Sequence, residues 1–263
     1  MWLLLESVGS TVSANMVQRM SENLATGSIV LADHHPTGIS TGVFAELRNE
    51  WPDLVAQAEG VSSFAVELSA LAEPELEGLI EFLESRPPLP FRYVAVHAPT
   101  KNRQIPEAKL VRRLARMPLP VRSLVVHPDT ISDVRVYREL RWRLCVENMD
   151  SRKGFGTTAD ELADLFADLP EAGFVFDIAH AHEVDPSMEL AEELLDRLGG
   201  RLRHVHLSSI RDGRHVPLTE DDERLFRPLL ARCSDVPWIL EALVPERWQK
   251  SRHLTKSSEL AIS

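Results

Sequence analysis

The chain has 263 residues, of which 44% are hydrophobic and 26% are charged, and its formal net charge is −11. This composition is typical of a globular protein with a large core, and the length fits one large α/β domain or two small ones. The acidic net charge disfavours nucleic acid as a partner, because binding to phosphate backbones relies on lysine and arginine. A locally basic site is compatible with an acidic net charge.

The cysteines and the first residues bear on the compartment. Cys145 and Cys233 are too few for a framework of disulfides, which favours a reducing cytosol. The apolar stretch at residues 2–5 is far too short to span a membrane, and the segment lacks the long apolar region of a secretory signal. We therefore predict a cytoplasmic protein that does not bind a membrane.

Runs typical of β-strands alternate along the chain with helical patterns. Helices are predicted over 74–84, 106–117, 157–169, 186–198 and 219–233, from acidic or proline-containing first turns, apolar periodicity and a terminal glycine pair. The strand-like runs begin near Ile29, Phe64, Tyr93, Ser123, Arg143, Phe174, Leu202 and Trp238. This alternation predicts an α/β protein with a parallel sheet.

Two architectures satisfy this order of elements. An open, doubly wound sheet calls for a glycine-rich phosphate turn after an early strand, and the sequence has none. Eight strand–helix units with polar residues at many strand ends favour a single (β/α)8 TIM barrel. We predict an N-terminal extension over 1–27, the barrel over 28–245 and a C-terminal tail over 246–263.

Six of the strand-like runs are followed at once by a residue that can bind a metal ion. The C-terminal ends of all strands in a parallel barrel meet at one mouth, so these side chains would converge there. A mixed set of histidine and carboxylate ligands suits Zn²⁺, Mn²⁺ or Fe²⁺ better than Mg²⁺ or Ca²⁺. The six residues, for which we predict a centre of one to three divalent ions, are His97, His127, Glu147, Asp177, His206 and Glu241.

Other histidines lie close to these strand ends. His180 follows Asp177 by three residues and is expected to face the mouth, whereas His182 is expected in solvent or behind the ligands. His215 lies on the loop after the seventh strand. A lone histidine on a loop is usually solvated, but because His206 is near, we give equal weight to a metal ligand and to a solvated side chain.

The segment His204-Val205-His206 lies on a predicted strand. We expect one histidine alone to face the barrel interior, with His206 as the ligand and His204 turned to the helices or packed deeper.

Basic residues after the strand ends are candidates to bind an anionic substrate. Arg211 and Arg214 flank the loop that carries His215 and are the first candidates for a phosphate or carboxylate clamp, with Arg103 as a third. For Arg152 and Lys153 we expect a charged surface loop. The predicted partner is thus a small, anionic molecule.

The motifs around these residues resemble those of the xylose isomerase-like TIM-barrel superfamily. That group includes sugar and sugar-phosphate isomerases and epimerases, and the endonuclease IV family of abasic-site nucleases. Taken together the motifs are specific for the superfamily and weak for any one reaction. They lie between about Ile29 and Glu241 and read VHAP, VVHP, VENM, FDIAHAH, HVHLSS, DGRHVPL and ILEA.

Resemblance to the epimerase branch implies one metal ion bound by four residues. Glu147, Asp177, His206 and Glu241 match that set, and His180 takes the substrate-contacting role. The two glutamates would then act as the acid/base pair that removes and returns a proton next to a carbonyl. A further acidic residue of that branch is replaced here by Lys153.

Resemblance to endonuclease IV implies a trinuclear zinc site instead. One ligand of that family is replaced, since Gly213 stands where the family has an aspartate, although Asp212 is adjacent. The N-terminal segment that the family uses to bind DNA is not recognisable in this sequence. The eight residues that match its ligand positions are His97, His127, Glu147, Asp177, His180, His206, His215 and Glu241.

Two reactions follow as hypotheses. The first is a metal-dependent isomerase or epimerase acting on a small sugar, sugar phosphate or related polyhydroxy carbonyl compound through a metal-bound enediolate, with Glu147, Glu241 and His180 as catalytic residues. The alternative is a multinuclear metal-dependent phosphodiesterase similar to endonuclease IV. The sequence leaves the oligomeric state open, a homo-oligomer included.

Overall fold

A closed, all-parallel barrel of eight strands forms the centre of the computed structural model, which describes residues 35–101 and 103–243. Neighbouring barrel strands follow one another in chain order, and the last pairs with the first. A two-stranded antiparallel hairpin, β8 (Ser209–Arg211) and β9 (Arg214–Val216), follows the seventh barrel strand. The barrel strands are β1 (Thr37–Ser40), β2 (Ala65–Ser69), β3 (Tyr93–His97), β4 (Val121–Val126), β5 (Leu144–Glu147), β6 (Gly173–Asp177), β7 (Leu202–Leu207) and β10 (Trp238–Leu240).

Eight α-helices accompany the barrel within the described residues. They are α1 (Trp51–Val61), α2 (Glu73–Glu84), α3 (Glu107–Ala115), α4 (Val134–Tyr137), α5 (Ala159–Asp168), α6 (Ile178–Val184), α7 (Glu189–Leu198) and α8 (Glu220–Arg232). Short 3₁₀ turns occupy Thr41–Val43, Ala45–Leu47, Pro128–Thr130, Arg138–Arg143 and Gly199–Arg201. None of the helices in these segments is long and apolar enough to cross a membrane.

The predicted (β/α)8 barrel is confirmed, and so are the five predicted helices. The strand predicted near Ile29 lies outside the described residues, and β1 (Thr37–Ser40) takes the first position in the barrel. The predicted boundaries at 27/28 and 245/246 also lie outside the described residues and stay predictions.

Glycine allows β1 to lie close to its neighbour β2. A Cβ atom added at Gly38 would lie 2.4 Å from the carbonyl oxygen of Ala65, so no other residue fits there without movement of the strand. Gly38 pairs directly with Ala65 in the register of the two strands. This short, glycine-containing strand therefore joins β10 to β2 and closes the barrel.

The loops that carry polar residues are held by capped helices. At the start of α5 (Ala159–Asp168) the Thr158 hydroxyl accepts from the Glu161 backbone N–H at 3.3 Å. The Glu161 carboxylate accepts in return from the N–H groups of Thr158, Gly156 and Thr157. Such a capping box satisfies helix N–H groups that would otherwise lack partners. It also anchors the loop that follows β5 at the barrel mouth.

Candidate metal centre

A cavity of about 880 Å³ opens at the C-terminal ends of the barrel strands. Its walls include the strand-end residues His97, His127, Glu147 and Glu241. Asp177 and His206 lie directly beneath, both fully buried. The convergence that the sequence predicts is therefore observed. Each residue lies in the last two positions of its own parallel strand or begins the loop after it.

Four of these side chains form one group at the centre of the mouth. Possible ligand atoms of Glu147, Asp177, His206 and Glu241 all lie within 4.8 Å of one another. Nδ1 of His206 lies 3.0 Å from Oε1 of Glu147 and 3.5 Å from Oε1 of Glu241. Three carboxylates around one imidazole nitrogen form an oxygen-rich set that suits a divalent cation.

A second group uses the other oxygen of Glu147. Oε2 of Glu147 lies 3.3 Å from Nε2 of His97 and 3.3 Å from Nε2 of His127. The two histidine nitrogens are 3.1 Å apart. Ligands around a tetrahedral zinc ion, with bonds of about 2.0 Å, are separated by about 3.3 Å, which is close to these spacings. Glu147 is thus placed to bridge two adjacent ions.

A third group contains Asp177, His180 and His215, again with ligand atoms within 4.8 Å. The backbone N–H of His180 donates to Oδ1 of Asp177 at 2.7 Å, because Asp177 caps α6 (Ile178–Val184). His180 Nδ1 donates to the carbonyl of Asn148 at 2.9 Å, which leaves its Nε2 as a lone-pair nitrogen in the neutral ring. All eight residues predicted as ligands therefore lie in three overlapping groups, although metal binding by them stays a prediction.

The buried hydrogen bonds of the mouth are incomplete in a way that fits a cation. Among the described residues, Oδ2 of Asp177, Oε2 of Glu241 and Nδ1 of His127 are buried and have no hydrogen-bond partner. A buried carboxylate oxygen without a donor is unfavourable by about 1–3 kcal/mol or more. A divalent ion bound by Asp177 and Glu241 would satisfy the oxygens of these two carboxylates.

The two glutamates of the mouth differ in their electrostatic surroundings. Burial alone would raise the pKa of Glu147, but His206, His127 and His97 outweigh it and lower that pKa well below its usual range. Burial raises the pKa of Glu241 well above its usual range, and the neighbouring carboxylates Asp177 and Glu147 add to the increase despite His206. In the metal-free protein Glu147 is therefore the ionised partner and Glu241 the one that more readily holds a proton.

His204 and His206 both face the barrel interior and both are fully buried. The expectation that only one of them does so is wrong, because residues i and i+2 of a strand point to the same face. His204 lies one layer below the mouth, where its Nε2 is 3.3 Å from Nε2 of His206.

Glu67 is a buried acid of the site that the sequence patterns do not single out. It lies in the middle of β2 (Ala65–Ser69), and its Oε2 is 3.0 Å from Nε2 of His206. The available signal is an acid inside the apolar run Ala-Val-Glu-Leu-Ser, since acids are seldom buried without a partner.

Of the three arginines predicted to bind substrate, Arg214 lines the cavity, and the other two are engaged elsewhere. Arg103 donates to the carbonyl of Thr130. Arg211 donates to both carboxylate oxygens of Asp222, at 3.0 and 3.1 Å. Neither side chain lines the mouth, since each loop turns its arginine towards an acceptor outside the cavity.

Arg152 and Lys153 are expected on a charged surface loop. Arg152 is exposed, and both side chains also line the cavity. Arg152 binds Asp150 and also donates to the carbonyl of Gly213. A Cβ atom at Gly213, where φ is +70°, would lie 2.8 Å from Nη1 of Arg152. The guanidinium therefore occupies the space beside Gly213 into which a larger side chain would project.

Two further side chains lie away from the ligand groups. His182 packs edge-on against Phe226, with ring centroids 5.3 Å apart, and it belongs to none of the three ligand groups. Asp212 is exposed in the turn of the hairpin and belongs to none of the three groups.

Residues 134–257 match the family model described as xylose isomerase-like TIM barrel. No curated protein matches the chain. Endonuclease IV from Thermus thermophilus is 22% identical, with a TM-score of 0.50 over 80% of this chain and 94% of that chain. D-psicose 3-epimerase from Clostridium cellulolyticum H10, solved with D-tagatose, is 12% identical, with a TM-score of 0.51 over 78% of this chain and 84% of that chain.

A third similar structure is a xylose isomerase-like TIM barrel protein from Mycobacterium smegmatis in complex with magnesium. It is 13% identical, with a TM-score of 0.50 over 79% of this chain and 90% of that chain. At these identities the similarity shows the fold and leaves the reaction open. The resemblance to the xylose isomerase-like superfamily is confirmed, and the chain has the fold of that superfamily.

Proposed function

We propose that this protein is a metal-dependent hydrolase of small phosphate esters that uses at least two divalent ions. One observation carries the proposal: the two oxygens of Glu147 face two different ligand groups. Oε1 lies 3.0 Å from His206, and Oε2 lies 3.3 Å from both His97 and His127. A carboxylate in this position is suited to join two ions at one site.

The residues divide naturally between two ion positions. His97, His127 and Oε2 of Glu147 would hold one ion, and Oε1 of Glu147 would hold the other together with Asp177, His206 and Glu241. Paired divalent ions, when bound, stabilise the attacking and leaving oxygens of a displacement at phosphorus. A site that served proton transfer with a single ion would not use His97 and His127, which are buried and half-buried respectively.

The protein's own groups perform three tasks in this proposal. Glu147 stays ionised between its histidines and keeps the two positions together. His180 donates a hydrogen bond from Nδ1 to the carbonyl of Asn148, which fixes its ring. Its Nε2 then lies 3.7 Å from Oδ2 of Asp150, and both residues line the cavity. Glu241, whose pKa burial raises in the metal-free protein, would give up its proton when it binds the ion as a carboxylate.

Two cations at the cavity support an anionic substrate. Lys101 and Arg214 are exposed and line the cavity, and in the described part of the chain neither belongs to an ion pair. Lys153, by contrast, is paired with Asp129 at 3.1 Å. The overall charge of −11 disfavours a long nucleic acid, so a small phosphate ester is the better fit.

The isomerase or epimerase hypothesis is the second candidate, and the difference between the two glutamates favours it. The pKa of Glu147 is lowered and that of Glu241 is raised, although both belong to one four-residue group. Carboxylates whose pKa values are pushed apart are suited to act as base and acid in proton transfer. This reaction would need the four-residue group alone.

The test combines metal content with two assays. Protein purified without chelators is analysed for zinc, manganese and iron, then assayed with bis(p-nitrophenyl) phosphate, sugar phosphates and an abasic DNA duplex. Solvent-deuterium exchange into sugars and sugar phosphates measures the isomerase reaction. His97→Ala is compared with His182→Ala, since His182 packs against Phe226 outside the ligand groups.

Two or more ions per chain, with hydrolysis lost in His97→Ala and kept in His182→Ala, supports the hydrolase. One ion, with deuterium exchange that survives His97→Ala, replaces it with the isomerase. Cleavage of the abasic duplex alone moves the substrate from small esters to DNA. A protein that takes up no metal refutes both reactions.

A further inference from the structure

A second polar layer lies beneath the metal centre, inside the barrel. Nε2 of His206 lies 3.0 Å from Oε2 of Glu67, while Nδ1 of the same ring faces Glu147 at 3.0 Å. Glu67 and His206 are both fully buried. The two nitrogens of one imidazole thus contact two different layers of the barrel.

We propose that Glu67 is a positioning residue that holds His206 with Nδ1 turned to the metal; this inference rests on the metal centre of the proposed function. A carboxylate oxygen can only accept a hydrogen bond, so its partner Nε2 must carry the proton. The lone pair of His206 is then on Nδ1, which faces Glu147 and Glu241. A carboxylate behind a metal-binding histidine fixes the ring orientation and makes the nitrogen a better ligand.

Glu67 is itself held on both of its oxygens. The hydroxyl of Ser40 donates to Oε1 at 3.4 Å, and Nε2 of His204 lies 3.4 Å from Oε2. Nδ1 of His204 contacts the Tyr93 hydroxyl at 2.8 Å, which in turn contacts the Ser123 hydroxyl at 2.6 Å. The layer therefore connects residues of β1, β2, β3, β4 and β7, and the rigid barrel fixes the carboxylate that positions His206.

The alternative for this layer is a metal site of its own, formed by Glu67, His204 and His206. The hydrogen bonds argue against it. Within the described residues, no side-chain atom of these three is buried without a partner, whereas Asp177 and Glu241 at the mouth each have such an atom. The lower layer is complete without an ion, and the mouth is not, so Glu67 supports a ligand rather than being one.

The experiment measures zinc affinity by chelator competition in the wild type, Glu67→Gln and Glu67→Leu. Leucine removes the acceptor, and glutamine keeps an acceptor oxygen while removing the charge. We expect affinity to fall about 100-fold in Glu67→Leu and about 10-fold in Glu67→Gln. Tyr93→Phe is the matched control, because it changes the same layer without a contact to His206, and its affinity should stay within a few-fold of the wild type.

A second readout does not involve turnover. Long-range ¹H–¹⁵N spectra of the zinc-loaded protein, labelled with ¹⁵N-histidine, report which ring nitrogen carries the proton. We expect His206 to be protonated at Nε2 in the wild type and to lose this single form in Glu67→Leu. If Glu67→Leu fails to fold, judged by circular dichroism, Glu67→Gln carries the test.

The outcomes separate this inference from the proposed function. Wild-type zinc uptake combined with unchanged affinity and an unchanged His206 spectrum in the variants overturns the role of Glu67 alone. A larger loss in Tyr93→Phe than in Glu67→Gln also overturns it, because the whole layer would then matter rather than this carboxylate. Failure of the wild type to bind zinc, manganese or iron refutes the metal centre and this inference together.

Discussion

Nε2 of His97 lies 3.1 Å from Nε2 of His127, at the distance of a hydrogen bond between two ring nitrogens. His97 also donates from Nδ1 to the carbonyl of Ala98 at 3.0 Å. Burial alone would lower the pKa of His97, but the hydrogen bond to Glu147 and the charge of Glu67 outweigh burial and raise that pKa. At His127 burial outweighs the attraction of Glu147, and the pKa is lowered. In the metal-free protein His97 is therefore the histidine that carries the extra proton, and His127 accepts from it.

This pair predicts that metal uptake releases protons. A metal ion needs the lone pair of His97 Nε2, so the proton held there must leave, and the same holds at His206, whose pKa is raised by Glu241, Glu67 and Glu147 despite burial. Since both pKa values are raised, competition by protons persists above the pH at which free histidine has lost its charge. We expect affinity to increase with pH across neutrality. Calorimetry in buffers of different ionisation enthalpy counts the protons, and a count of zero at about pH 6.5, the ordinary histidine pKa, would contradict this assignment.

Removal of Lys101 or Arg214, the cavity cations that have no ion-pair partner among the described residues, should weaken substrate binding. Lys101→Ala and Arg214→Ala should each raise KM for a phosphate ester about tenfold, equivalent to about 1.4 kcal/mol, with a smaller change in kcat. Arg135→Ala is the control, since Arg135 is exposed and paired with Asp133 outside the cavity. Steady-state kinetics on the three variants checks this, and equal KM values in all three would place the substrate elsewhere.

Both cysteines should be unreactive in the native protein. Burial raises the pKa of Cys145 to about 11 and that of Cys233 to about 12, so the thiolate is scarce at pH 8. Because the folded pKa exceeds the unfolded one, stability is unaffected below about pH 8.5 and falls as the pH rises towards 11. Iodoacetamide at about pH 8 should modify neither thiol within an hour and both after addition of urea. Rapid native labelling of one thiol would show that its surroundings open to solvent.

The capping box of α5 (Ala159–Asp168) should contribute measurably to stability and leave the chemistry unchanged. Thr158→Ala removes the oxygen that accepts from the Glu161 N–H and should lower the free energy of unfolding by about 1 kcal/mol. Urea denaturation measures the loss, and metal content tests the independence of the site. Thr219→Ala, at the equivalent box of α8, should lose a similar amount. A loss near zero at both positions would mean that water replaces the cap at little expense.

The sequence predicts the barrel and the mouth because both depend on local order along the chain. His97 and Glu147 follow apolar runs directly, so each marks the end of a strand in the sequence itself. Parallel strands of a barrel bring such ends together. The first strand is harder, since Thr37–Ser40 contains a glycine and lacks a strong apolar pattern. Its position follows from pairing with β2 and β10, which is a contact between distant parts of the chain.

Interior residues are harder to predict than those at strand ends. Glu67 lies within its strand and acquires its role from His206, 139 residues away in the chain. Arg152 belongs to a loop that reads as charged surface, and only the fold brings it to the carbonyl of Gly213. Such partners depend on closure of the barrel, which no local pattern encodes.

Barrel closure also sets when the centre can form. Its predicted ligands come from six successive barrel strands and the loops after them, from His97 at the end of β3 to Glu241 after β10. The second half of the barrel supplies Glu147, Asp177, His206 and Glu241, and the first half supplies His97 and His127. The two ion positions therefore meet only in the assembled barrel, and filling both would shift the folding equilibrium as a whole. Resistance to proteolysis should then increase along the entire barrel when the ion binds, because cleavage at sites far from the mouth also depends on the same global unfolding.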